Sequence, residues 1–115
     1  MKRAISLVAT LATLTTATAA HAAEHTILIL PDAYFPQITY LTAGDTVHFE
    51  NASGGSHNIV AKNDSWELGP IPNDGQVTIT VPAGMQTTFY AKDLQDENGN
   101  FLVEGRMSFS PAPLD

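Results

Sequence analysis

Beyond residue 24 the chain is a succession of short runs in which apolar and polar residues alternate, each cut off by Pro, Gly, Asn or Asp. Residues 25–30 (HTILIL) form a β-rich run that stops at Pro31-Asp32, and 38–41 follows Pro36. Residues 45–51 (DTVHFEN) have a clean period of two, which sends Val47 and Phe49 to one face and Thr46, His48 and Glu50 to the other. After Gly54-Gly55 the pattern resumes over 57–62 (HNIVAK), then again over 76–81 (QVTITV) and 86–92 (QTTFYAK). Asp96-Glu97-Asn98-Gly99-Asn100 is a turn cluster with an Asn-Gly pair, and 101–110 supplies a final strand. The stretch 63–75, with Trp66, Pro70 and Pro72, reads as a loop with room for one more short strand or a helical turn. Turn signals about every ten residues and no sustained helical period predict an all-β sandwich of seven or eight strands.

The first residues follow a different pattern. Lys2 and Arg3 precede an apolar run over 4–14, and Ala20-His21-Ala22 offers small residues where a signal peptidase cuts. The run is too short for a bilayer, which needs roughly 20 apolar residues. A helix belonging to the folded domain is disfavoured, because Thr and Ala dominate and no amphipathic partner helix follows. The expectation is a cleaved secretory signal peptide over 1–22 and one domain over 23–115. Cleavage after Ala22 is preferred to cleavage after Ala19 or Ala20. The product would be periplasmic or secreted, with no membrane anchor left after cleavage.

Composition narrows the function classes. There is no cysteine, so thiol catalysis and disulfide staples are excluded. Without residues 1–22, three bases (Lys62, Lys92, Arg106) face twelve acids, a formal charge of −9. Such a body repels nucleic acid and anionic lipid, and any partner guided by charge is basic. Solubility alone explains the charge equally well.

Three stretches, in order, resemble the cupredoxin family, to which plastocyanin and pseudoazurin belong. Ala43-Gly44-Asp45-Thr46-Val47-His48-Phe49-Glu50-Asn51 is similar to its G-D-x-V-x-F-x-N strand. Ser56-His57-Asn58-Ile59-Val60 is similar to the segment bearing its first copper histidine. Ala83-Gly84 followed by Thr88-Phe89-Tyr90-Ala91 is similar to the turn and aromatic strand that end in its copper cysteine. The resemblance implies a cupredoxin-like Greek-key sandwich, with a loop-rich end near His57 for ligands or partners. It also implies the loss of the blue-copper centre, which needs two imidazoles, a thiolate and a weak axial ligand. Only His57 remains: Ala91 stands at the cysteine position, no histidine follows it, and Leu102 or Val103 falls near the axial position.

Few residues are left to carry chemistry. Cleavage after Ala22 would expose Ala23-Glu24-His25, whose amine, two amides and imidazole can hold Cu(II) in a square plane. The alternative is that His25 only opens the first strand. His57 is either a remnant ligand or a histidine that hydrogen-bonds to its loops. The second is favoured, because one imidazole without a companion is a poor site. His48 reads as a surface residue, Met85 as a turn residue, and Met107 as a core residue sharing the inward parity of Val103 and Phe109. The segment 93–100 has calcium-like spacing, but Phe101 stands where such a loop needs Gly, so a hairpin turn is preferred. Ser53, Ser56 and Ser65 lie near His57 without a triad pattern, and no enzymatic activity is expected. Two functions follow, the first preferred: Cu(II) handling at the new amino terminus without a type 1 centre, shared with His57 should the terminus fold near it, or, as the alternative, a metal-free module binding another exported protein. A monomer is expected.

Overall fold

The computed structural model describes residues 22–114, so the expected leader lies, apart from Ala22, outside the described residues. Nine strands form in chain order: β1 (Glu24–Ile29), β2 (Tyr34–Phe35), β3 (Ile38–Tyr40), β4 (Thr46–Asn51), β5 (His57–Ala61), β6 (Glu67–Ile71), β7 (Gln76–Thr80), β8 (Thr88–Ala91) and β9 (Glu104–Ser108). They make two mixed sheets, one ordered β2-β1-β4-β7 and the other β3-β9-β8-β5-β6. The described residues contain no helix long and apolar enough to cross a membrane. The fold is all-β and sandwich-like, as the period-two pattern predicts.

Alternation decides which face each strand buries. On β4, Val47 and Phe49 are fully buried, while Thr46, His48 and Glu50 are only partly covered. β1 runs parallel to β4 with Ile27 beside Phe49, and brings Ile27 and Ile29 into the same layer. The facing sheet contributes Ile59, Ile71, Phe89, Ala91 and Met107. Phe89 is the centre of this core: its ring meets Tyr34 at 4.9 Å, Phe49 at 5.6 Å and Trp66 at 6.0 Å between centroids.

The structure refines the sequence expectations in three places. The stretch 63–75 contains β6, hidden in sequence because Gly69 and Pro70 interrupt its alternation. β2, only two residues long, was not expected at all; it forms because Leu28 and Ile29 supply a partner for Tyr34 and Phe35. Phe109 does not share the inward position of Met107 and Val103. It lies just past the end of β9 and is exposed, because no facing strand continues beyond Ser108.

Strand directions sort the loops to two ends. The turn 42–45, the Pro82-Ala83-Gly84 turn and the residues after Ser108 gather at the end where β1 and β4 begin. The segments 30–33, 52–56, 72–75 and 92–103 gather at the other.

Candidate functional site

The chemistry-bearing side chains divide between these ends. At the first, the turn through Gly44 (φ 96°) delivers Asp45, and its buried carboxylate accepts three hydrogen bonds. Ala23 N donates to Oδ1 at 3.0 Å, while His25 Nε2 at 2.9 Å and Thr42 N at 2.9 Å donate to Oδ2. A carboxylate only accepts, so His25 carries its proton on Nε2 in this contact. The His25 hydrogen bond, followed by that from Thr42 N, holds the Asp45 carboxyl below the ordinary carboxylate range. Glu24, between them in sequence, points to the opposite face, where its Oε1 takes His48 Nε2 at 3.0 Å. His48 Nδ1 in turn lies 2.8 Å from Thr78 Oγ1, on the outer face as its parity predicts.

These contacts set a condition on a chelate at Ala23-Glu24-His25. Ala23 O accepts from Thr46 N at 3.0 Å, and Glu24 is in register with Thr46, so the segment is part of the parallel ladder. A four-nitrogen plane needs the amides of Glu24 and His25 deprotonated and turned toward the metal. Forming it therefore means peeling the start of β1 from β4 and lifting His25 off Asp45.

The Asp45 carboxylate also makes stability depend on pH. A group whose carboxyl is depressed in the folded state contributes stability above its unfolded pKa, and loses it as pH falls through the folded value. The wild type is expected to lose stability on acidification below about pH 4, the ordinary aspartate value. Asp45→Asn should be less stable at neutral pH and show a flatter acid limb. Urea melts of both proteins across the acid range test this, and parallel limbs would refute it.

At the opposite end, β5 begins with His57, whose side chain is largely buried. Its Nδ1 lies 3.5 Å from Asp93 Oδ2, too long for a good hydrogen bond, and has no other partner. Asp93 instead accepts from Asn58 N at 2.7 Å and from Asn58 Nδ2 at 3.3 Å. The phenol of Tyr34 is buried without a hydrogen-bond partner as well; burial, with the Asp93 charge adding, pushes its pKa far above the ordinary range. Ala91 and Val103, 3% and 7% exposed, are joined by Ala91 N to Val103 O at 3.1 Å, whereas Leu102 is 64% exposed. Among the positions that the resemblance singles out, the small apolar Ala91 and Val103 are thus buried and the longer Leu102 turns to solvent.

Three further expectations can be placed. Asp96 accepts from Asn98 N at 2.8 Å and Asn100 N at 2.9 Å, and Gly99 (φ 83°) makes the tip, so the segment is a tight turn whose carboxylate is taken up by its own backbone. Ser53 Oγ lies 2.6 Å from Asn51 Oδ1 and is not engaged with His57. His25 and His57 are not brought together. They sit at opposite ends of the sandwich, separated by the six residues of β1, about 20 Å at the usual rise of an extended strand. Among the described residues no three His, Cys, Asp or Glu side chains cluster for a metal.

Sequence reasoning missed one feature. A groove of about 520 Å³ opens between the outer strands β6 and β7, lined by Trp66, Leu68, Ile79, Pro82 and Met85. Trp66 is held there by its Nε1–H, which donates to Gln86 O at 2.9 Å. Its residues come from two separate segments, 63–68 and 79–86, and only the recognition of β6 within 63–75 would have drawn them together. In comparisons with known proteins, no protein-family model matches this chain, and no curated protein matches it in sequence.

Proposed function

We propose that this protein is an exported Greek-key sandwich of the cupredoxin type that lacks a blue-copper centre and acts as a metal-free binding module for another exported protein. The observation that carries this reading is the surroundings of His57. Its imidazole lies 3.5 Å from the Asp93 carboxylate, and the positions where the family carries its thiolate and axial ligand hold buried Ala91 and Val103, which offer no side-chain nitrogen or sulfur. The fold assignment is supported by where the three family-like stretches fall: on β4, at the start of β5, and on β8. The groove beside Trp66 is a fitting contact surface, apolar within and surrounded by an acidic body that favours a basic partner.

Copper handling is the second reading, favoured by one contact pair. Ala23 N and His25 Nε2 meet the two oxygens of one carboxylate, so cleavage after Ala22 would leave amine and imidazole close together, once His25 is lifted off Asp45 and the start of β1 is peeled from β4. A Cu(II) titration of the exported protein, its amino terminus defined by mass spectrometry, separates the two. The module reading expects no binding tighter than that of buffer ligands. Stoichiometric binding with an all-nitrogen square-planar EPR signal, lost in His25→Ala and kept in His57→Ala, would overturn it in favour of copper at Ala23-Glu24-His25.

A further inference from the structure

Four strands lie at sheet edges: β2 and β7 in one sheet, β3 and β6 in the other. Three are poor templates for further pairing. β2 and β3 have two and three residues, and β6 is broken by Gly69-Pro70 and by a register shift against β5. β7 has none of these protections. Its five residues, Gln76-Val77-Thr78-Ile79-Thr80, include no charge, proline or glycine in a chain of formal charge −7.

The ladder to β4 defines which backbone groups of β7 are free. Asn51 N donates to Gly75 O at 2.9 Å and Val81 N to Asp45 O at 2.9 Å, at the two ends of the pairing. Bonded pairs in an antiparallel ladder alternate, so the bonds to β4 fall at Gly75, Val77, Ile79 and Val81. The N–H and C=O groups of Gln76, Thr78 and Thr80 therefore point away from β4. No described residue takes them as partners in the sheets.

We propose that β7 pairs antiparallel with β7 of a second copy about a two-fold axis at Thr78, joining the two four-stranded sheets into one of eight. This inference goes beyond the module reading and does not depend on it. Set antiparallel to itself about Thr78, β7 brings only uncharged residues opposite one another, with Thr78 on Thr78 and Val77 on Ile79, and that self-complementarity selects a second copy as occupant. Thr78 meets Thr78, whose outward N–H and C=O exchange both bonds, and Gln76 meets Thr80 on either side in two further bonded pairs. Val77 meets Ile79 on the inner face, covering apolar groups that the monomer leaves half-exposed. Threonine pairs and β-branched pairs directly opposite one another are favourable, and no like charges face each other across the seam. A basic segment of another protein would find no carboxylate on this strand to recognise. Net charge opposes the approach of two acidic copies, so the dimer is weak and strengthens with salt.

The test is sedimentation velocity of the exported protein over a concentration series at low and high salt, paired with amide exchange resolved by residue. The expected result is a monomer–dimer equilibrium that shifts toward dimer with concentration and salt, with the amides of Gln76, Thr78 and Thr80 gaining protection in step. Thr78→Lys, which sets two ammonium groups against each other on the axis, should abolish the dimer and leave core amide protection unchanged. Thr80→Lys, placed off the axis, provides a second variant should the first fold poorly. A monomer under all conditions, with those three amides exchanging as exposed groups, would overturn the proposal. So would a dimer that persists in both variants. The copper titration is indifferent to either result.

Discussion

Phe89→Ala is expected to cost about 3–5 kcal/mol of folding stability, the range for removing a fully buried aromatic ring. Phe89 is completely buried, and its ring is the common contact of Tyr34 and Phe49, from the facing sheet, and of Trp66, from the loop before β6. Truncation leaves a void between the layers that the surrounding side chains refill only in part. A domain this small has roughly 5–15 kcal/mol in total. At about 4–8 °C per kcal/mol for this size, the loss corresponds to a fall in Tm on the order of 20 °C. Thermal melts followed by circular dichroism measure it directly. Phe101→Ala is the control: that ring is exposed and stacks on Tyr90 at 4.6 Å, and its loss should cost under about 1 kcal/mol. If the two variants melt alike, the core is not organised around Phe89.

The same site can be stressed from the opposite side. A methyl group on Gly105 would collide with the Phe89 ring and lie 2.9 Å from Tyr34 Cδ2. Gly105→Ala should therefore destabilise by about 1–3 kcal/mol through overpacking. The penalty should shrink when Phe89→Leu is introduced with it, since the two changes act on one volume. Additive effects would show that the glycine serves something other than the ring.

Asn51→Asp is expected to be the second most damaging of these changes, and to alter the sign of a pH dependence. The Asn51 side chain is buried and makes four hydrogen bonds. Its Nδ2 donates to Gly55 O at 2.7 Å and Ile71 O at 2.8 Å, and its Oδ1 accepts from Ser53 N at 2.9 Å and Ser53 Oγ at 2.6 Å. This amide ties β4, the loop 52–56 and the end of β6 to one point, just before the chain reaches His57. An ionised aspartate would present lone pairs to two carbonyl oxygens. Each buried group left unsatisfied costs about 1–3 kcal/mol, so a loss of roughly 3 kcal/mol or more at neutral pH is expected. The protonated acid can restore one donor, so folding raises the pKa of this carboxyl above its unfolded value. The variant should regain stability as pH falls toward about 4, the reverse of the Asp45 contribution. Urea melts across the acid range test this, and a variant that only weakens further on acidification would refute it. Asn51→Leu should be comparably unstable near neutrality, but without the regain.

Much of the architecture was legible because a strand's two faces are written into a period of two. Val47 and Phe49 could be assigned inward and His48 outward before any partner strand was known, and Met107 likewise inward. Turn residues located the breaks between strands. Partner choice was not legible, because alternation specifies a face but not the neighbour across the ladder. The two-residue β2 has no pattern of its own, and β6 carries a glycine and a proline that read as loop. Phe109 keeps the parity of Met107, yet the sheet ends before it, so parity no longer buries it. For the candidate site, the residue types were legible and the distances were not.

The sequence by itself determined an all-β domain without cysteine, the inward and outward faces of its main strands, and the lack of a thiolate for a blue-copper centre. These follow from residue identity and short-range periodicity. Only the tertiary structure decided that His25 and His57 lie at opposite ends, that Asp45 collects Ala23 and His25, and that β7 is left as an open edge. Those facts depend on which strands pair and in which direction. Strand pairing is chosen by burial and register between segments far apart in the chain, where no local pattern reaches.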